Sequence, residues 1–325
     1  MIVTATINPS LDRTVTIQGP LVPGAVHRIT SDRTDPGGKG INVAFGTQRA
    51  GLETVAVLAA RSDDPLLALL SAAGLTHVAA PARGAVRTNL AMVSEPNVTT
   101  KVNEPGTPLT ASDVDEFTRA LLATVHHGDY VVLCGSLAPG VPVDFYATVL
   151  RSLKDRGAYV GIDTSDGPLL ALAEHFPQVA PDFMKPNAEE LGQIVGVDGG
   201  EIEDRAATGD IVPAVHATRR LVDMGVREVL VTLGGAGAML ATREGMWFSR
   251  APRVPVVSTV GAGDSAVAGY LIATAQGANA ADRLALSVAY GAAAVSLPGT
   301  TIPARDDVVV DPRLITRIDR AQRAL

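Results

Sequence analysis

Ser258-Thr259-Val260-Gly261-Ala262-Gly263-Asp264-Ser265 runs straight into a small-residue, apolar stretch covering residues 265–277. Glycines at 261 and 263 let successive backbone N–H groups turn toward one point, which is the geometry of an anion cradle. The stretch after them reads as a buried helix, and the positive end of its dipole falls on the same point. Asp264 stands at that mouth as its one carboxylate. Beside a bound anion a carboxylate is unfavourable unless it accepts a proton from an attacking hydroxyl, so the octapeptide predicts a phosphoryl group held and attacked at a helix start. The Gly-x-Gly-x-x-Ala spacing is also a weak dinucleotide fingerprint, but that motif follows a first strand and precedes, by about 20 residues, an acidic residue at a strand end. Here it lies late in the chain, and Asp282 falls in a helical pattern.

Upstream of this loop, β-rich runs at 2–7, 54–60, 130–134, 159–163 and 228–233 alternate with helical stretches. That alternation predicts an α/β fold with a mainly parallel sheet covered on both faces. Several runs end in polar or glycine residues, as in Cys134-Gly135-Ser136 and Asp163-Thr164-Ser165, and open α/β sheets bind ligands at such carboxyl ends. Segments 10–36 and 84–105 break the pattern with alternating runs such as Thr14-Val15-Thr16-Ile17 and Thr100-Lys101-Val102-Asn103. They read as extra strands outside the main sheet, a small β lid over the site within one domain spanning 1–325.

Composition narrows the function classes. A hydrophobic content of 46% over 325 residues supplies a large core. A net charge of −7 and a pI near 5.4 argue against nucleic-acid and membrane-surface binding, so an anionic ligand has to be caught locally. The one cysteine, Cys134, excludes an internal disulfide. Met1 leads almost directly into 2–7 with no signal-like leader and no apolar run of membrane length follows, so a cytoplasmic location is expected.

A second glycine-rich stretch, Pro36-Gly37-Gly38-Lys39-Gly40-Ile41-Asn42-Val43-Ala44, also leads into a helix and lacks the Walker spacing of a P-loop. Together GGKGINVA and STVGAGDSAVAGYL resemble the two signatures of the ribokinase-like carbohydrate kinases, in the phosphofructokinase-B branch. The resemblance extends in order through NPSLD at 8–12, CGSLAPG at 134–140, KPNAEEL at 185–191 and VTLGGAG at 231–237. It implies a ribokinase-like three-layer α/β/α fold with a small β-sheet lid.

By that resemblance Asp264 is the base on the acceptor hydroxyl, and Gly261, Ala262 and Gly263 form the anion hole. Asn187 and Glu190 match an N-x-x-E element linked to the Mg2+ that accompanies ATP, and such a sparse donor set suits a cation that keeps its waters. Lys185, Asn187, Thr232, Gly234 and Gly237 match positions near the nucleotide phosphates. Asp12, Gly37, Gly38 and Asn42 match residues that hold sugar hydroxyls. Arg87, Lys39, Arg28 and Lys101 concentrate positive charge near the lid of an acidic protein, which points to a phosphorylated acceptor. The activity implied is ATP-dependent phosphorylation of a ketohexose monophosphate, foremost fructose 1-phosphate to fructose 1,6-bisphosphate. Tagatose 6-phosphate and fructose 6-phosphate are the alternative acceptors, and a catalytically silent sugar-phosphate sensor is the alternative from another class. Lids of resembling kinases pair, so a homodimer joined through 10–36 and 84–105 is expected. Two departures stand out: the inserted Asp166, and Phe45-Gly46-Thr47-Gln48, which is less helix-favouring than the alanine and arginine usual there.

Overall fold

The strand that opens the chain, Ile2–Thr6, is buried at every position, and its side chains divide between the two faces of the sheet. Val3 and Ala5 belong to the apolar cluster containing Phe117, Leu150 and Leu221, whereas Ile2 belongs to the one containing Val267, Leu271 and Leu284. Burial on both faces is what a parallel strand between two helical layers requires. The computed structural model describes residues 1–95 and 98–318; positions 96 and 97 of the 84–105 segment, and 319–325, lie outside the described residues.

In chain order the strands are β1 (Ile2–Thr6), β2 (Ser10–Ile17), β3 (Ile29–Gly37), β4 (Thr54–Ala60), β5 (His77–Pro81), β6 (Arg87–Ser94) and β7 (Val98–Asn103). There follow β8 (Tyr130–Cys134), β9 (Tyr159–Asp163), β10 (Phe183–Met184), β11 (Glu228–Thr232), β12 (Gly237–Thr242), β13 (Gly245–Arg250) and β14 (Ile315–Arg317). The helices are α1 (Lys39–Arg49), α2 (Pro65–Ala72), α3 (Ala111–Thr124), α4 (Phe145–Asp155) and α5 (Asp166–Ala173). The second half adds α6 (Ala188–Val195), α7 (Gly199–Ala207), α8 (Val212–Asp223), α9 (Ala262–Ala275) and α10 (Ala280–Val295). None of the described helices is long and apolar enough to cross a membrane.

The ten-stranded sheet has the order β14-β13-β12-β11-β10-β9-β8-β1-β4-β5. Strands from β11 to β5 run parallel, and β12 to β14 add an antiparallel edge. From β1 the chain builds outward to β4 and β5, then returns to β8 on the other side. The order therefore reverses between β1 and β8, which opens a crevice at their carboxyl ends. Helices α1, α9 and α10 pack together on one face, and α3, α4, α6 and α8 cover the other.

The segments 10–36 and 84–105 interleave into one separate sheet of order β3-β2-β6-β7. Its central pair β2/β6 is parallel, and the flanking pairs are antiparallel. At α9 the sequence reading is corrected: the helix begins at Ala262 rather than 265, which brings Asp264 into its first turn. The inserted Asp166 begins α5 at φ +57° and accepts the Ser165 hydroxyl at 2.8 Å.

At the opposite, amino end of the parallel strands a buried polar cluster ties α9 and α10 to the sheet. Glu228, the first residue of β11, accepts from Arg283 Nη1 at 2.6 Å and from the Tyr270 hydroxyl, which also meets the Tyr159 hydroxyl at 2.9 Å. Tyr270 stacks on Phe183 with ring centroids 3.9 Å apart. Burial first, and then the neighbouring Glu228, hold the Tyr270 phenol above its ordinary pKa. Arg283→Met keeps the stem but strands a buried carboxylate, so unfolding stability is expected to fall by about 3–5 kcal/mol. Urea denaturation measures this, and a loss under about 1 kcal/mol would show that water reaches Glu228.

Candidate active site

Four separated segments deliver the charged groups at the crevice. Asp163 ends β9, Lys185 follows β10, Lys39 opens α1 and Asp264 lies in the first turn of α9. Lys39 Nζ donates to Asp163 Oδ1 at 3.0 Å, and Lys185 Nζ lies 3.3 Å from the same oxygen. Asp163 is 1% exposed, Lys185 5% and Asp264 8%. Asp264 Oδ2 accepts from Asn42 Nδ2 at 2.8 Å. Asn42, read from sequence as a holder of sugar hydroxyls, thus has the carboxylate of Asp264 as its partner.

These contacts drive the two carboxylates apart in basicity. Burial pushes Asp264 up, the negative charge of Asp163 pushes further, and Lys39, Asn42 and Lys185 pull back, leaving it at about 6. Burial would raise Asp163 as well, but the ammonium groups of Lys185 and Lys39 override it and hold that carboxyl below its usual range. Lys39 is held above its ordinary value because Asp163, Asp264 and Glu190 outweigh its own desolvation. One carboxylate is a fixed counter-ion and the other is a base poised near neutrality. Sequence reasoning missed Asp163 as a site residue, although the polar end of the 159–163 run pointed to that strand end.

Gly261 takes φ +77°, open to glycine at low cost, and begins α9 with no side-chain cap bond among the described residues. The Lys185 ammonium stands 3.5 Å from where a Cβ on Gly263 would lie, so a cation flanks the cradle. Ser258 locks the approach to this turn, donating to Gly299 O at 2.9 Å and accepting from Val260 N at 3.2 Å.

On the acceptor side, Asp12 Oδ1 accepts from the Ser10 hydroxyl at 2.8 Å and from Asn89 Nδ2 at 3.0 Å. Its other oxygen has no partner among the described residues. A Cβ on Gly37 would fall 2.3 Å from the Asp12 carboxyl carbon, so any larger residue there would push the Asp12 carboxyl out of place. Gly38, the next residue, precedes α1 and abuts Thr6 and Pro9. Asp12, Asn89, Lys101 and Asn103 line a cleft of about 180 Å³ that also touches Ser258 and Gly299. Arg87 lies two residues before Asn89 and shares its face of β6. Its Nη1 donates to Glu104 O at 3.1 Å, and its Nε is buried without a partner among the described residues. Burial lowers the Arg87 pKa, while Asp12 opposes that shift. Arg28 is not brought to this site. It is exposed beyond Ile29, at the far end of β3 from Gly37, about 30 Å away by strand rise.

On the nucleotide side, Asn187 and Glu190 form a capping box on α6: Glu190 N donates to Asn187 Oδ1 at 2.8 Å, and Asn187 N donates to Glu190 Oε2 at 2.9 Å. Thr232 lies beside Asn187 through a parallel bridge, which joins two of the expected positions. Gly234 opens a short 3-10 turn, and Gly237 begins β12 against the Ser249 carbonyl, a reason for glycine that belongs to the fold. Asn187 Oδ1 accepts one hydrogen bond in this cap and keeps a second lone pair, and Glu190 Oε2 accepts the other cap bond. No group of three or more His, Cys, Asp or Glu with ligand geometry occurs among the described residues. An amide oxygen and one carboxylate are a sparse donor set, which fits a magnesium ion that keeps several waters.

The family model for "pfkB family carbohydrate kinase" matches residues 5–307. A 1-phosphofructokinase of Rhodobacter capsulatus is 33% identical over 319 residues, covering 97% of this chain and 96% of that protein. A 1-phosphofructokinase of Xanthomonas campestris pv. campestris is 37% identical over 277 residues, 83% of each. The crystal structure of phosphofructokinase-2 from Escherichia coli in complex with substrates and products superposes with a TM-score of 0.84 at 28% identity, covering 94% of this chain and 96% of that one.

Because Asp264 accepts a proton only when ionised, kcat/KM is expected to fall as pH drops through about 6. The Asn42 bond favours the ionised form, so Asn42→Ala should move this acid limb upward by about one pH unit. A pH–rate profile measures it; a limb that stays or moves down would remove Asn42 from the control of Asp264.

Proposed function

The chain belongs to the pfkB family of carbohydrate kinases, and from that premise we propose that it transfers the γ-phosphoryl group of ATP to fructose 1-phosphate, giving fructose 1,6-bisphosphate and ADP. The observation that carries the phosphorylated acceptor is Arg87, a half-buried guanidinium with an orphaned Nε next to Asp12. A buried donor without a partner costs free energy that an acceptor phosphate would recover. The names of the two relatives direct the choice among ketohexose phosphates to fructose 1-phosphate.

In this reading Asp12 and Asn89 orient the sugar, and Asp264 takes the proton of the attacking hydroxyl as the oxygen–phosphorus bond forms in line with the departing ADP oxygen. The N–H groups of the turn Gly261-Ala262-Gly263 and the Lys185 ammonium offset charge on the transferring group. Asn187 and Glu190 would hold the magnesium that accompanies the nucleotide, whose charge would offset that of the phosphates. The small sheet serves as a lid that excludes water. Its outer strands leave Ile29, Val98 and Val102 about half exposed, a face that a second copy would cover, so the assembly is a homodimer joined through the lids. The location that suits this activity is the cytoplasm.

An ADP-release assay over a panel of ketohexose phosphates tests the reading: turnover should be fastest with fructose 1-phosphate. Preference for tagatose 6-phosphate or fructose 6-phosphate would reassign the acceptor, and no release with any would leave a binding protein. Arg87→Ala is expected to raise KM for the sugar phosphate by roughly 10- to 150-fold, a charge-assisted bond of about 1.5–3 kcal/mol, with KM for ATP nearly unchanged. Equal weakening of both substrates would take Arg87 off the acceptor. Sedimentation at micromolar concentration should give twice the chain mass, and an active monomer would contradict the lid interface.

A further inference from the structure

The chain crosses between the two sheets at four places, and Asn8 occupies the first, between β1 and β2. It is 5% exposed. Its Nδ2 faces three oxygens, Pro105 O at 3.1 Å, Ser136 Oγ at 3.2 Å and Leu137 O at 3.3 Å. Pro105 belongs to the returning crossing after β7, whereas Ser136 and Leu137 belong to the loop after β8. One amide therefore spans the crevice where strand order reverses and holds an outgoing crossing, a returning crossing and the main body together. The returning crossing is moulded on it: Gly106 takes φ +102°, and a Cβ there would stand 2.3 Å from Asn8 Oδ1.

Both ends of this clamp lead into the site. Two residues beyond Asn8, the Ser10 hydroxyl orients Asp12 and receives Asn89 Nδ2 at 3.1 Å. On the body side, Gly135 N donates to Asp163 O at 2.8 Å, and Gly135 O accepts the Thr164 hydroxyl at 2.8 Å. We propose that Asn8 is a positioning residue whose amide pins the small sheet to the loop after β8 and so fixes the placement of Asp12 and Arg87 over Asp264. Without it the carbonyls of Pro105 and Leu137 lose a buried donor, and the crossings are free to separate. The kinetic part of this inference rests on the proposed acceptor; the structural part does not.

The test pairs steady-state kinetics with amide hydrogen exchange on Asn8→Ala. KM for the sugar phosphate is expected to rise roughly tenfold while KM for ATP changes less than about twofold. Exchange should accelerate in β2, β6 and β7 and stay unchanged in β8 and β11. A lower melting temperature with both KM values unaltered, or exchange raised equally in both sheets, would overturn the pin and leave Asn8 as ordinary packing. Gly106→Ala drives its new methyl into the Asn8 amide, in addition to the strain of a side-chain-bearing residue at φ +102°, and should reproduce both signatures. In the Asn8→Ala background that collision is gone, so the second substitution should cost less, whereas additive effects would overturn the coupling. If Asn8→Ala does not fold, Gly106→Ala decides by the same two readouts. If the parent protein turns over no ketohexose phosphate, the acceptor assignment falls, and the exchange pattern alone decides the pin.

Discussion

Two carboxylates buried in one cluster cannot both be ionised at low cost, and the placement of Lys39 and Lys185 on Asp163 decides which of them carries the charge. With both ammonium groups on Asp163, its ionised form is fixed, and Asp264 is left with a single amide from Asn42. Asp264 is then the carboxylate whose protonation stays open near neutral pH. Lys185, one of the two lysines on Asp163, also stands beside the Gly261 to Gly263 turn, so a charge that sets the Asp264 environment is shared with the cradle that would hold an anion. The four groups thus share one electrostatic balance, and a change to any of them reaches the others.

The fold explains why four remote segments can meet. Asp163 and Lys185 come from neighbouring strand ends, while Lys39 and Asp264 come from the starts of two helices packed on one face of the sheet. At the other end of the same strands the Glu228, Tyr270 and Arg283 cluster fixes α9 lengthwise, which sets how far Asp264 projects into the crevice. The crossings between the sheets complete the enclosure from the acceptor side, with Asp12 held by Ser10 and Asn89 within a few residues of the body.

Features carried by contiguous residues were legible in the sequence. The Gly261 to Asp264 turn, five parallel strands within one residue of their ends, and the β-rich segments that form the small sheet were all readable in this way. What depends on distant pairing was not. Asp163 looked like any strand end because its partner Lys39 is 124 positions away. Arg28 looked close to Lys39 because motif order sets them near each other, yet the extended strand between them converts those few residues into a long separation. Strand β10 has two residues and shows no periodicity to read, and β12 to β14 join by antiparallel pairing that the βα alternation does not announce. The helix-poor Gly46-Thr47 pair has a packing reason: a Cβ on Gly46 would meet Ala268 of α9 at 2.6 Å, and buried Thr47 donates to Val43 O at 3.0 Å within α1.

Single-turnover transfer by Asp264→Asn tests the central claim most directly, since the substitution keeps shape and removes basicity. With ATP and sugar phosphate both saturating, the rate of the chemical step should drop on the order of 10²- to 10⁴-fold while binding of both substrates persists. A single-turnover rate within about threefold of the parent would contradict the account, because the proton would then have to leave by a route that does not involve Asp264.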